Sequence, residues 1–178
     1  MKLRKKTSTE QILKVMQALA WIPFVAYGIE TGAIIISFII SLNNPIASQD
    51  LYLGLDYSAI RDHSFWYYVC AVSLRISIPA MLCNVWILAL QAIRKVNLSN
   101  PFQEYVALKL EKIGYALFST WVLMMVANGY FAWLHKVTGE VLEVWSSSQF
   151  IFMSGLIFII AQIFKRGVEI QSENELTV

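Results

Sequence analysis

The stretch Ala18–Leu42, ALAWIPFVAYGIETGAIIISFIISL, decides the fold. It carries one charged side chain, Glu30, in 25 residues. As an α-helix it would be about 37 Å long, enough to cross a hydrocarbon core about 30 Å thick. A helix satisfies its own backbone hydrogen bonds, so it is the form an isolated apolar segment takes in lipid. Pro23 and Gly28 inside the stretch predict a kink, and Asn43, Asn44 and Pro45 end it with turn-forming residues.

Three more runs of the same kind follow, from about residue 65 to 93, 113 to 134 and 148 to 164. The second opens on Phe65, Trp66, Tyr67 and Tyr68, an aromatic group suited to a membrane–water interface, and Pro79 predicts a bend in it. Trp133 stands near the outer end of the third. Asn100 and Pro101 read as a helix cap and first helical residue, so a short helix from Glu104 to Glu111 is expected before the third span. Residues 43 to 62 form a polar loop with a partly apolar segment that is expected to fold back on the membrane, and 165 to 178 form a polar tail. Composition agrees: 57% of residues are hydrophobic and 15% charged, against about a quarter charged in soluble domains. The reading is one all-α domain over 1–178, an integral membrane four-helix bundle.

Lysine and arginine set the expected orientation. Lys2, Arg4, Lys5, Lys6 and Lys14 precede the first span, Arg94, Lys95, Lys109 and Lys112 lie between the second and third, and Lys165 and Arg166 follow the fourth. The two remaining connections hold only Arg61 and Lys136, so the rich segments are expected in the cytoplasm. Both termini would then be inside, in a multi-pass protein of the cell inner membrane. The apolar run after Met1–Lys6 is too long for a signal-peptide core, so it is expected to remain in the mature chain.

Glu30 and Arg75 stand out because a charge within a span costs about 2.5–3.5 kcal/mol unless paired or hydrated. Glu30 lies thirteen residues before Asn43 and Arg75 twelve after His63, matching depths of roughly 18–20 Å from the outer helix ends. An intramembrane ion pair between them is expected, either as static glue or as a charged site lining a cavity. Asn84, Asn128 and Gln162 read as interhelical hydrogen-bonding residues, each contributing about 0.6 kcal/mol. Gly28 and Gly32 form a small-xxx-small face that would admit a second copy of the chain.

No catalytic signature is present: no HExxH, GxSxG, phosphate loop or CxxC. The span serines have no histidine or second carboxylate beside them to activate a nucleophile, and they read as bonding to their own helix. His63 and His135 could meet near the outer interface, but two histidines make a poor metal site. Cys70 and Cys83 fall in one apolar run and read as packing residues. A net charge of +2 gives no footprint for direct nucleic-acid binding. A non-enzymatic protein with no cofactor and no metal is expected.

Asn100, Pro101 and Phe102, followed by Leu110, Ile113 and Gly114, and the ending Phe164, Gly167, Glu173, Glu175, Leu176, Thr177 and Val178 carry a resemblance. The chain resembles the bacterial domain-of-unknown-function family 2975, most specifically in its closing seven residues from Ser172. The resemblance implies a four-span inner-membrane protein without established activity, often encoded beside a Cro-type helix-turn-helix regulator. It points to Asn100, Pro101, Phe102, Glu173, Glu175, Leu176, Thr177 and Val178 as partner-binding residues. The expected function is a regulatory or sensory membrane partner of such a regulator; the competing class is a small transporter or immunity-type protein.

Overall fold

The computed structural model describes residues 8–97 and 101–176, with side chains described over 11–97 and 101–174. Five α-helices and one 3-10 helix make up the described chain: α1 (Ser8–Asn43), the 3-10 helix Pro45–Gln49, α2 (Ser58–His63), α3 (Phe65–Lys95), α4 (Glu104–Thr138) and α5 (Ser148–Leu176). There is no strand among the described residues. Four of the helices, α1, α3, α4 and α5, are long and apolar enough to cross a membrane. The helix expected ahead of the third span is present, and it runs unbroken into that span as the first turns of α4. The segment after Phe164, expected as a polar tail, continues α5 as helix to Leu176. Residues 165–176 are rich in side chains that favour helix, hold no proline, and carry one glycine, Gly167, through which the helix continues.

Helices pack in the spatial order α1, α3, α4, α5; among the described residues the backbones of α1 and α5 do not approach each other. The flanking helices α1 and α5 are mostly exposed, while α3 and α4 carry most of the buried positions. In water such apolar exposure would be prohibitive, since apolar burial is worth about 25 cal/mol per Å². In lipid it costs nothing. Ile22, Ile29, Ile36 and Ile39 on α1 and Phe152, Ile159 and Ile163 on α5 are among the exposed apolar side chains.

Two contacts fix the register of α1 against α3: the Cys83 thiol points at the Phe24 carbonyl, and Ser41 Oγ lies 2.5 Å from Tyr68 OH. Counting from the two contacts sets Glu30 level with residues 77 to 79, up to one turn below Arg75, and Lys14 level with residues 93 to 95. The bundle thus has a basic end, marked by Lys14, Arg94, Lys109 and Lys165, and a loop end formed by residues 44–64 and 139–147.

The loop after α1 is folded onto the helices. Asn44 Oδ1 caps the 3-10 helix by accepting from Ile46 N at 3.2 Å. Asp50 and Asp56 form turns, accepting from Gly54 N at 3.0 Å and Ser58 N at 2.8 Å. Leu53 and Gly54 turn the chain at φ 49° and 81°; glycine adopts this left-handed backbone without strain, and among the described residues Leu53 is the one non-glycine held there. These turns bury Leu51, Tyr57 and Ile60 against Ile34, Tyr68, Val72, Phe131 and Leu134, forming a core at the loop end.

Candidate functional site

Arg75 faces inward from α3 with its side chain only 12% exposed. Its guanidinium lies 4.8 Å from the Trp145 ring centre, a cation–π contact. The carboxylate that reaches it is Glu143 in the 139–147 loop, with Nη2 and Oε2 3.6 Å apart and Glu143 itself 82% exposed. That corrects the expected ion pair: Glu30 lies up to a turn nearer the basic end, and among the described residues it forms no ion pair with Arg75. The loop carboxylate wins because the chain after α4 descends beside α3 to the level of Arg75 before α5 begins. At 3.6 Å the contact is electrostatic and longer than a hydrogen bond. Arg75 Nε is buried and has no hydrogen-bond partner.

Glu30 and Arg75 still share a wall. With Asp56, Tyr57, Glu140 and Glu143 they line a cavity of about 710 Å³ open toward the loop end. Four carboxylates and one guanidinium give it a net acidic character. Burial pushes the Tyr57 phenol up to about 12; the nearby Arg75 charge opposes that rise and Glu143 adds to it.

The loop that delivers Glu143 is held by a two-way clamp: Asn128 Nδ2 donates to the Trp145 carbonyl at 2.8 Å, and Trp145 N–H donates to Asn128 Oδ1 at 3.0 Å. Trp145 also packs on Phe131, with ring centres 5.5 Å apart. Asn128 was legible in the sequence as a polar residue in a span, but its partner is loop backbone rather than another helix. Trp145 carried no signal apart from its position in a short loop. Asn84 and Gln162 are exposed on α3 and α5. A Cβ on Gly28 or Gly32 would meet nothing, so that face is open within the single chain.

The serines divide. Ser77 donates to Ser73 O at 2.7 Å within its own helix, whereas Ser154 donates across to Gly114 O at 2.9 Å, tying α5 to α4. His63 stacks on Tyr67, and His135 Nδ1 lies 2.9 Å from the Glu140 carbonyl. No group of three metal-ligating side chains occurs among the described residues.

At the basic end, Phe102 lies edge-on to Phe164 with ring centres 5.5 Å apart and its ring rests against Gly167. A Cβ on Gly167 would overlap that ring, so the glycine is what admits Phe102 to α5. Phe102, Ile163, Gly167 and Ile170 line a cavity of about 840 Å³ with Arg166, Gln171 and Asn174 on it. Of the expected partner-binding residues, Phe102 is thereby joined to α5; Pro101 and Glu173 are exposed. Glu175 and Leu176 belong to α5 by backbone, and Asn100, Thr177 and Val178 lie outside the described residues. Lys165 reaches Glu111 at 2.8 Å, pairing α5 with α4 beside this region.

Four lipid-suited helices, exposed apolar flanks and a charged cavity at one end define a multi-pass membrane protein. The pattern of DUF2975, a protein of unknown function, matches residues 9–178, and the chain belongs to that family. No curated protein and no solved structure matches it.

Proposed function

We propose that this chain is a non-enzymatic regulatory or sensory membrane protein. Its loop-end cavity responds to the state of the membrane, and its basic end engages a cytoplasmic helix-turn-helix regulator of the Cro type. The observation that carries the reading is the seating of Phe102 on Gly167. It joins the segment between α3 and α4 to the part of α5 beyond the apolar run, leaving an apolar groove with Ile163 and Ile170 on its wall. The lysine and arginine bias supports placing that end in the cytoplasm of a bacterial inner membrane, with both termini inside. Residues 173–178 follow directly from this groove and offer carboxylates and two apolar side chains to a partner. Exposed Asn84 and Gln162 and the open Gly28–Gly32 face support a homo-oligomer as the membrane form.

The test is capture of the regulator encoded beside the gene by detergent-solubilised chain. Deleting 173–178, or Phe102→Ala, is expected to reduce capture at least tenfold while leaving membrane insertion intact. Undiminished capture by both variants contradicts the reading.

A second reading, a small transporter or immunity-type protein, draws on the cavity that holds Glu30 and Arg75. A transporter would show substrate flux in proteoliposomes that Arg75→Gln abolishes.

A further inference from the structure

The loop-end cavity does not end at Glu30. A smaller chamber of about 260 Å³ lies directly below it, with Glu30 on the wall of both and Tyr27 and Phe150 further down. Tyr27 and Phe150 in turn line a third space of about 370 Å³, an apolar groove bounded by α1 on one side and α5 on the other and floored by α3 and α4. The three form one cleft, charged at the top and apolar below, in the gap where α1 and α5 do not meet. Both flanking helices face lipid, so the cleft is open to the membrane from its side.

Its depth suits an amphiphile. Arg75 stands nineteen residues above Arg94 on α3, and Glu30 sixteen above Lys14 on α1. These separations correspond to about 28 Å and 24 Å of helix. With a hydrocarbon core about 30 Å thick measured from these basic residues, the charged part lies toward the far edge of the membrane, where lipid headgroups begin, and the Phe65–Tyr68 group expected at the interface stands beyond it. α5 starts at Ser148, seventeen residues above Lys165, at much the same height.

The charges specify the headgroup. Arg75 is nearly buried, keeps an unpartnered Nε and touches its one carboxylate only at 3.6 Å, leaving donors for an anion. Glu30, Glu143, Glu140 and Asp56 surround it with acceptors for a cation. A purely anionic headgroup would meet one cation against four carboxylates. A primary ammonium can donate three hydrogen bonds to such carboxylates, which a quaternary ammonium cannot. We infer that the cleft between α1 and α5 binds an aminophospholipid of the phosphoethanolamine type, its phosphate on Arg75, its ammonium among Glu30 and Glu143, and an acyl chain in the groove beside Phe150. This names the ligand class for the loop-end cavity of the sensory reading, and it holds whether or not the basic end binds a regulator.

The test is native mass spectrometry of the full chain, delipidated in detergent and titrated with phosphatidylethanolamine, phosphatidylcholine and phosphatidylglycerol of matched acyl chains. Phosphatidylethanolamine is expected to be retained about tenfold over each of the others, the discrimination of one charge-assisted hydrogen bond. Arg75→Gln should abolish retention. Glu30→Gln should keep binding but erase the preference over phosphatidylcholine. Met153→Trp, on the exposed wall of the groove, should block binding with every charge in place. Helical circular dichroism checks each variant, and Met153→Trp carries the test if Arg75→Gln fails to fold. Equal retention of the three lipids, or retention unaffected by Met153→Trp, overturns the inference. So does displacement of the lipid by soluble glycerophosphoethanolamine at equal concentration, which would make the site one for a water-soluble zwitterion. No regulator is present in the assay, so its failure would leave the partner at the basic end untouched.

Discussion

At the loop end, short polar contacts hold the chain: Ser41 against Tyr68 at 2.5 Å, Asn128 clamping Trp145 from both sides, Arg61 donating to the Ser41 carbonyl, and Asp50 and Asp56 closing turns. At the basic end, a phenylalanine rests on a glycine, Lys109 reaches Gln91, Lys165 reaches Glu111, Arg94 lies over the Trp21 ring, and the Arg166–Glu169 pair is open to solvent. One end spends its order on holding a single buried cation in place. The other joins helix to helix through long charged side chains and leaves an apolar groove beside Phe102. The difference teaches that in lipid, where apolar packing between helices gains little, the polar contacts decide which regions are fixed.

The contrast can be broken most forcefully at Asn128. Asn128→Leu, a larger and better helix-forming residue, leaves the Trp145 N–H and C=O without partners, at a cost of about 1–3 kcal/mol. Thermal unfolding in detergent should record that loss, with faster hydrogen exchange over 140–147. An unchanged transition would mean that the clamp is ornamental. Gly167→Ala is the corresponding probe at the basic end. It should expel Phe102, the lost aromatic contact of about 1 kcal/mol being largely offset by the better helix propensity of alanine, so that the readout is faster exchange at 102–107 with no change at the loop end. Spread of that effect to 140–147 would show the ends to be coupled.

Tyr57 sharpens the comparison further. Its pKa is raised from 10.0 to about 12, so the neutral phenol is the form the fold prefers. The stability it contributes is complete below pH 10 and is lost as pH rises toward about 12. Tyr57→Phe should flatten the stability profile in that window and nowhere below it. The smallest effect belongs to the exposed Arg166–Glu169 pair, where Glu169→Gln should leave the melting temperature unchanged within error.

Much of this architecture was legible in the sequence. Uninterrupted apolar length gave the four helices, because no soluble core demands such runs, and Asn44 and Pro45 marked the turn that follows α1. Glu30 and Arg75 were legible as residues of interest because charge within a span needs a reason, and they do share a cavity. Their direct pairing was not legible. The partner of Arg75 is set by how far the 139–147 loop descends, and that depends on the clamp between Asn128 and the Trp145 backbone, which no side-chain pattern encodes. The extension of α5 past Phe164 was hidden because its residues are polar, and polarity marks the end of a membrane contact rather than the end of a helix. The separation of α1 from α5 was also out of reach, since both read as ordinary spans and only packing shows which helices remain apart.

The central claim is that water enters from the loop end as far as Arg75 while α3 below it is sealed in lipid. It is tested most directly by thiol labelling in sealed vesicles. In a Cys70→Ser background, Glu143→Cys is expected to react fully with a membrane-impermeant maleimide applied to the loop face, and Cys83, eight residues below Arg75, is expected to stay unmodified. Equal labelling of both positions, or protection of both from either face, would contradict the account.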